Sequence, residues 1–177
     1  MINSIKNFFI SCLIYFVPLL SIIGVVLILY IPRSNEFWNF LRTAPLYTGI
    51  YFWSTTRSDI FNLLSAFFLG IMADIIGSTP LGVNIITFLT LYTLSIKLSD
   101  YFNIQKFFYA WILYTVILLI TFIFKTILIC TFYRQIIPLH FLAFEFFLNI
   151  MIYPLTIRLF AKIERRFIHL EERYEKI

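Results

Sequence analysis

The chain has 177 residues, of which 61% are hydrophobic and 13% charged, with a formal net charge of +5 and a mean hydropathy of +0.91. A soluble domain carries roughly 45–50% apolar and about 25% charged residues. A water-soluble fold of this length cannot hide that excess of apolar surface, so lipid is the solvent implied.

Residues 8–31 form an apolar run of about 24 residues that ends at Pro32-Arg33 without a small-residue cleavage site, which predicts a retained first transmembrane helix. Residues 32–43 mix Arg33, Glu36 and Arg42 with Phe37, Trp38 and Phe40, the pattern of an interfacial connector. The run 44–56 is about 13 residues long, short of the ~20 that a span needs. It is expected as a tilted, extended or re-entrant segment with a polar border at Trp53–Asp59. Two further spans, 60–76 and 83–97, are hinged at Asp74–Gly82. A fifth covers 107–133 and is interrupted only by Lys125; a sixth covers 136–161 and holds His140, Glu145, Asn149 and Pro154. The expectation is an all-α polytopic membrane protein, a six-helix bundle in a single transmembrane domain over 1–161.

Lys and Arg in the loops set orientation. With six spans and a cytoplasmic N-terminus, Lys6, Arg57, Lys97, Lys106 and the basic tail lie inside, against Arg33, Arg42 and Arg134 outside. Both termini are therefore expected in the cytoplasm. The tail, 162–177, is expected to be amphipathic: Phe160, Ile163, Phe167, Leu170, Tyr174 and Ile177 recur at helical spacing, with Arg158, Lys162, Arg165, Arg166 and Arg173 off that stripe. Such a helix lies on an anionic leaflet, docks a partner helix, or extends the last span with basic anchors. Glu164, Glu171, Glu172 and Glu175 dilute the positive field and argue against nucleic acid.

Ionisable groups at bilayer depth are costly unless paired, so each one needs a reason. Lys125 precedes the last hairpin turn and Glu145 follows it, at depths of roughly 14 and 17 Å for a rise of about 1.5 Å per residue. Antiparallel neighbours at those depths predict a buried Lys125–Glu145 ion pair, either a register clamp or part of an ion or substrate path. Asp74 has no such partner in sequence. It follows a face of small residues, Ala66, Gly70, Ala73 and Gly77, where another helix can approach closely, either within the bundle or from a partner. It also precedes a turn marked by Pro80, Leu81, Gly82 and Asn84. The carboxylate can cap that turn, accepting from Ser78, Thr79 or backbone N–H groups, or act as an acid or base if His140 converges on it.

Other catalytic and cofactor arrangements are missing from the chain. There is no GxSxG elbow, no HExxH, no GxGxxG and no GxxxxGK[ST]. Asp59 and Asp74 are set at opposite ends of one helix, about 20 Å apart, and cannot share a proton. Cys12 and Cys130 lie in separate apolar runs without metal-ligand or disulfide spacing and read as small core hydrophobes. No enzyme, metal or cofactor is expected.

Several stretches together resemble a known family. They are Tyr51-Phe-Trp53 with Arg57-Ser-Asp59, then Gly70-Ile-Met-Ala-Asp74-Ile-Ile-Gly-Ser-Thr-Pro80-Leu-Gly82-Val-Asn84, and the closing Tyr153-Pro-Leu-Thr-Ile-Arg158-Leu. The pattern resembles the bacterial rod shape-determining membrane protein MreD family over roughly residues 44–160, with Ser58 departing from the family's frequent Pro. The resemblance implies a non-enzymatic inner-membrane scaffold of the cell-elongation machinery. Such a subunit associates with an MreC-type bitopic membrane protein and so connects MreB filaments to peptidoglycan synthases. It also implies a fold similar to the substrate-binding subunits of energy-coupling-factor transporters. A vitamin-type transport subunit is the alternative, with a polar pocket drawn from Asp74, Asn84, His140 and Asn149.

Overall fold

The structure is a computed structural model and describes residues 17–27, 36–77, 80–101, 107–133 and 139–175. It is all-helical over those residues: α1 (Val17–Leu27), α2 (Glu36–Thr56), α3 (Leu63–Gly77), α4 (Val83–Ser99), α5 (Phe107–Tyr133) and α6 (Leu139–Glu175). Two of them, α5 over Phe107–Phe132 and α6 over His140–Arg166, are long and apolar enough to cross a membrane. The ends of the first run, 8–16 and 28–31, lie outside the described residues.

The run expected as a short segment over 44–56 is the second half of a 21-residue helix, about 31 Å long at 1.5 Å per residue. Neither the charged residues upstream nor Pro45 within the run interrupts the helix. Hydropathy marked where the segment turns apolar, not where its backbone begins to coil. This helix is also the centre of the molecule. Every residue from Tyr47 to Ser54 is buried, so all sides of α2 are covered there. Its neighbours are α1, α4, α5 and α6. Gly49 is the crossing point: a Cβ there would stand 2.7 Å from Ile22 Cγ1 of α1 and 3.1 Å from Phe160 Cζ of α6. Trp53 Nε1 donates to Ser21 Oγ at 3.0 Å and ties α1 to the same helix.

Around this axis, α4 and α5 pack together, α5 meets α6, and α3 makes its main contact with α4. Large apolar side chains point outward on the outer helices, among them Phe68, Ile75, Phe108, Ile123, Phe147, Met151 and Leu155. Several hydroxyl groups turn inward and are satisfied locally. Thr48, Thr87, Ser95 and Thr121 each donate to the carbonyl one turn back, which hides the hydroxyl in an apolar helix. Pro154 lacks the N–H that would bond the Ile150 carbonyl. That carbonyl instead accepts from the Trp111 indole at 3.4 Å, so α5 covers the gap that the proline opens in α6.

The last span and the tail are one helix. Phe160 is buried and Ile163 packs against the core, so the stripe expected on a separate amphipathic tail begins as the inner face of α6. Side chains beyond Ile168 lie outside the described residues.

Candidate functional site

The expected close-packing face is an internal seam. Ala66, Gly70 and Asp74 stand one turn apart on α3 and all three are buried. Gly70 lies against the backbone of α4: a Cβ there would sit 2.5 Å from Ile85 Cα and 2.9 Å from Ile85 N. Ala73 is half-buried at the margin and Gly77 is exposed, so the small-residue face leaves the seam before the helix ends. Of the two openings left by the sequence, the Ala66–Gly70 part serves packing within the chain.

Asp74 closes the seam at its far end. Its side chain is 1% exposed. One carboxylate oxygen, Oδ2, accepts from the Gly82 N–H at 2.7 Å, and Oδ1 accepts from the Asn84 N–H at 2.9 Å. These are among the first N–H groups of α4, which have no partner inside their own helix. A carboxylate there also meets the positive end of the helix dipole. Gly82 makes the geometry possible, because its φ of 109° lies in the left-handed region that a Cβ disfavours. Pro80 accepts from the Val83 N–H at 3.2 Å, and Leu81 is exposed at the tip. Ser78 and Thr79, expected as possible donors, lie outside the described residues. Asn84 contributes its backbone and is itself buried.

Asp59 lies at the other end of α3, in the turn before the helix, where it pairs with Arg57 at 3.3 Å. His140 is exposed on α6, its ring against Phe141. The structure thus spends the Asp74 carboxylate on holding the α3–α4 turn, and the expected pocket residues divide between that turn, the surface and the core.

The second polar centre lies between α5 and α6. Lys125 Nζ is 3.0 Å from Glu145 Oε1 and 3.4 Å from Oε2, with both side chains buried. The ammonium also lies 5.3 Å from the Phe122 ring centroid and 5.6 Å from that of Tyr47 on α2. One pair therefore fixes the depth of three helices relative to one another. From it, a column of polar and aromatic groups runs through the core. Asn149 Nδ2 bonds the Glu145 carbonyl at 2.7 Å, and Tyr153 one turn further stacks on Tyr114 at 4.5 Å between centroids. Tyr114 Oη is 3.3 Å from Thr48 Oγ1, and Tyr51 Oη donates to the Ala110 carbonyl at 3.0 Å. Sequence reasoning gave no core role to Tyr47, Tyr51, Tyr114 and Tyr153, although Tyr51 and Tyr153 stand in the motifs quoted above. A signal for three of them was present in the four-residue spacing of Tyr47–Tyr51 and of Glu145–Asn149–Tyr153, which puts each set on one helical face.

Missed as well was Asn62, whose Oδ1 accepts from the Ser65 N–H at 3.1 Å and caps α3. Among the described residues no three His, Cys, Asp or Glu side chains cluster as a metal site, and Cys130 is a half-buried free thiol.

No protein-family model, curated protein or solved structure matches this chain.

Proposed function

We propose that the protein is a non-enzymatic, multi-pass scaffold of the bacterial inner membrane, of the MreD kind. In this reading it holds an MreC-type bitopic partner in the elongation complex and through it connects MreB filaments to peptidoglycan synthases. All six helices cross or enter the bilayer, and both termini are cytoplasmic. The observation that carries the reading is where the charges go. The chain places an aspartate, a lysine and a glutamate inside an apolar bundle, and each is engaged in fixing one helix against another. Such groups hold a rigid platform, and the outward apolar faces of α3, α5 and α6 meet lipid or a neighbouring helix.

The test is depletion of the protein in its own cell, combined with photo-cross-linking from the outward positions Leu64, Phe68 and Ile75 of α3. Loss of rod shape and capture of a single-span partner are expected. Unchanged shape together with no captured partner refutes the reading.

A second reading, a vitamin-type substrate-binding subunit, draws support from Tyr47 Oη, Asn149 Oδ1 and Tyr153 Oη. These three buried atoms have no hydrogen-bond partner of good geometry among the described residues, and buried polar atoms usually have one. A native mass spectrum with a vitamin retained on the purified protein would favour it.

A further inference from the structure

The exposed face of α6 changes character along its length. Phe144, Phe147, Met151 and Leu155 are exposed, Met151 by 76% and Leu155 by 69%. At about 100° per residue these positions share one face with Arg158, Lys162 and Arg166, which are exposed as well and follow one another at four-residue spacing. Glu164 is on the opposite side, half-buried, within electrostatic reach of Arg57 and beside Arg165. The acid therefore neutralises the inner side of the helix and leaves the outer line of three cations intact.

The dimensions fit a leaflet. Phe144 to Leu155 covers about 16 Å at 1.5 Å per residue, close to half of a ~30 Å hydrocarbon core. Arg158 to Arg166 covers about 12 Å more, through the headgroup layer.

Resting on the membrane reading above, we propose that this face of α6 is a binding site for one anionic phospholipid. Its acyl chain lies along Phe147, Met151 and Leu155. Its phosphate is held by Lys162, with Arg158 and Arg166 on either side. A zwitterionic lipid brings its own cation to the same line and loses most of the attraction. A soluble polyanion would have no use for the apolar half of the face.

The full chain is reconstituted in nanodiscs containing equal phosphatidylglycerol and phosphatidylcholine, and the lipids that stay bound on delipidation are counted by native mass spectrometry. The wild type is expected to retain phosphatidylglycerol preferentially. Each basic residue near a membrane surface is worth a factor of about five, so Lys162→Gln/Arg166→Gln should lower the preference at least about fivefold. Lys97→Gln, which removes an exposed charge at the end of α4, should leave it unchanged. Equal retention of the two lipids by the wild type overturns the proposal, as does an equal loss in Lys97→Gln. If the double variant fails to insert, the wild type decides alone: its preference must fall as salt screens the headgroup, and a salt-independent preference overturns the site. Displacement of the lipid by soluble glycerophosphate would reassign the site to free phosphates and overturn it too. A wild-type chain that stays dispersed without any lipid or detergent refutes the membrane reading itself, a result distinguishable from all of these.

Discussion

Replacing Asp74 by Asn separates a structural carboxylate from one that moves protons or binds a partner through its charge. The wild-type side chain accepts two backbone N–H bonds, from Gly82 and Asn84, at 2.7 and 2.9 Å. An amide keeps one accepting oxygen and turns an NH2 group toward the other N–H. One charge-assisted bond is lost, worth about 1.5–3 kcal/mol. The interaction of the charge with the N-terminus of α4 is lost too, about 0.3–1 kcal/mol. Asp74→Asn should therefore destabilise the protein by about 2–4 kcal/mol, a shift of roughly 30- to 1000-fold in the unfolding equilibrium. Asp74→Glu keeps the charge but adds a methylene inside a buried seam, so it should restore the loss only in part. The assay is reversible unfolding of the purified protein in mixed micelles, titrated with a denaturing detergent and followed by far-UV circular dichroism. Activity in the cell should fall in proportion to the folded fraction. If Asp74→Asn is as stable as the wild type yet fails in the elongation role proposed above, the carboxylate acts through its charge, and the capping argument is wrong.

The Lys125–Glu145 pair makes a second prediction of the same kind. Lys125→Met or Glu145→Gln alone should cost about 3–5 kcal/mol, because each leaves or strands a buried group. Lys125→Glu and Glu145→Lys should each be destabilising alone, and the double charge swap should recover most of that loss in a double-mutant cycle on the same unfolding assay. Additive losses would mean that the two side chains are not coupled. The glycines give a third. Gly70→Ala places a Cβ 2.5 Å from backbone of α4 and should cost about 1–3 kcal/mol through overpacking. The nearest atoms to a Cβ at Gly49 belong to the side chains of Ile22 and Phe160 rather than to backbone, so the cost of Gly49→Ala should be smaller. Equal costs in thermal unfolding would refute the seam geometry. Gly70→Leu would strain the same seam further, because its added atoms meet the same backbone of α4.

Elements legible from the sequence were those whose signal is local. The fifth helix coincides with its apolar run, 107–133, because that run is long and free of breakers. The fourth begins at Val83, immediately after Gly82, because the turn residues that precede it have their own conformational preferences. The Lys125–Glu145 juxtaposition followed from counting residues on either side of one hairpin, where rise per residue is enough to match depths. Boundaries failed where composition and backbone part company. Helix α2 starts in a charged, aromatic stretch that reads as a connector, and α6 runs on through the polarity change that reads as the end of a span.

By itself the sequence determined the excess of apolar surface, the positions of the apolar helices, and the presence of charges that had to be answered inside them. Those follow from composition and from one-dimensional spacing. Which face meets which neighbour depends on contacts between residues far apart in the chain, and only the tertiary structure decided it. It put the least apolar of the expected spans at the centre, where Thr48, Tyr51 and Trp53 find partners on three helices. It also aimed Asp74 at backbone N–H groups eight and ten residues away. The physical reason is common to both: which polar group can complete another inside an apolar bundle is set by how the helices pack.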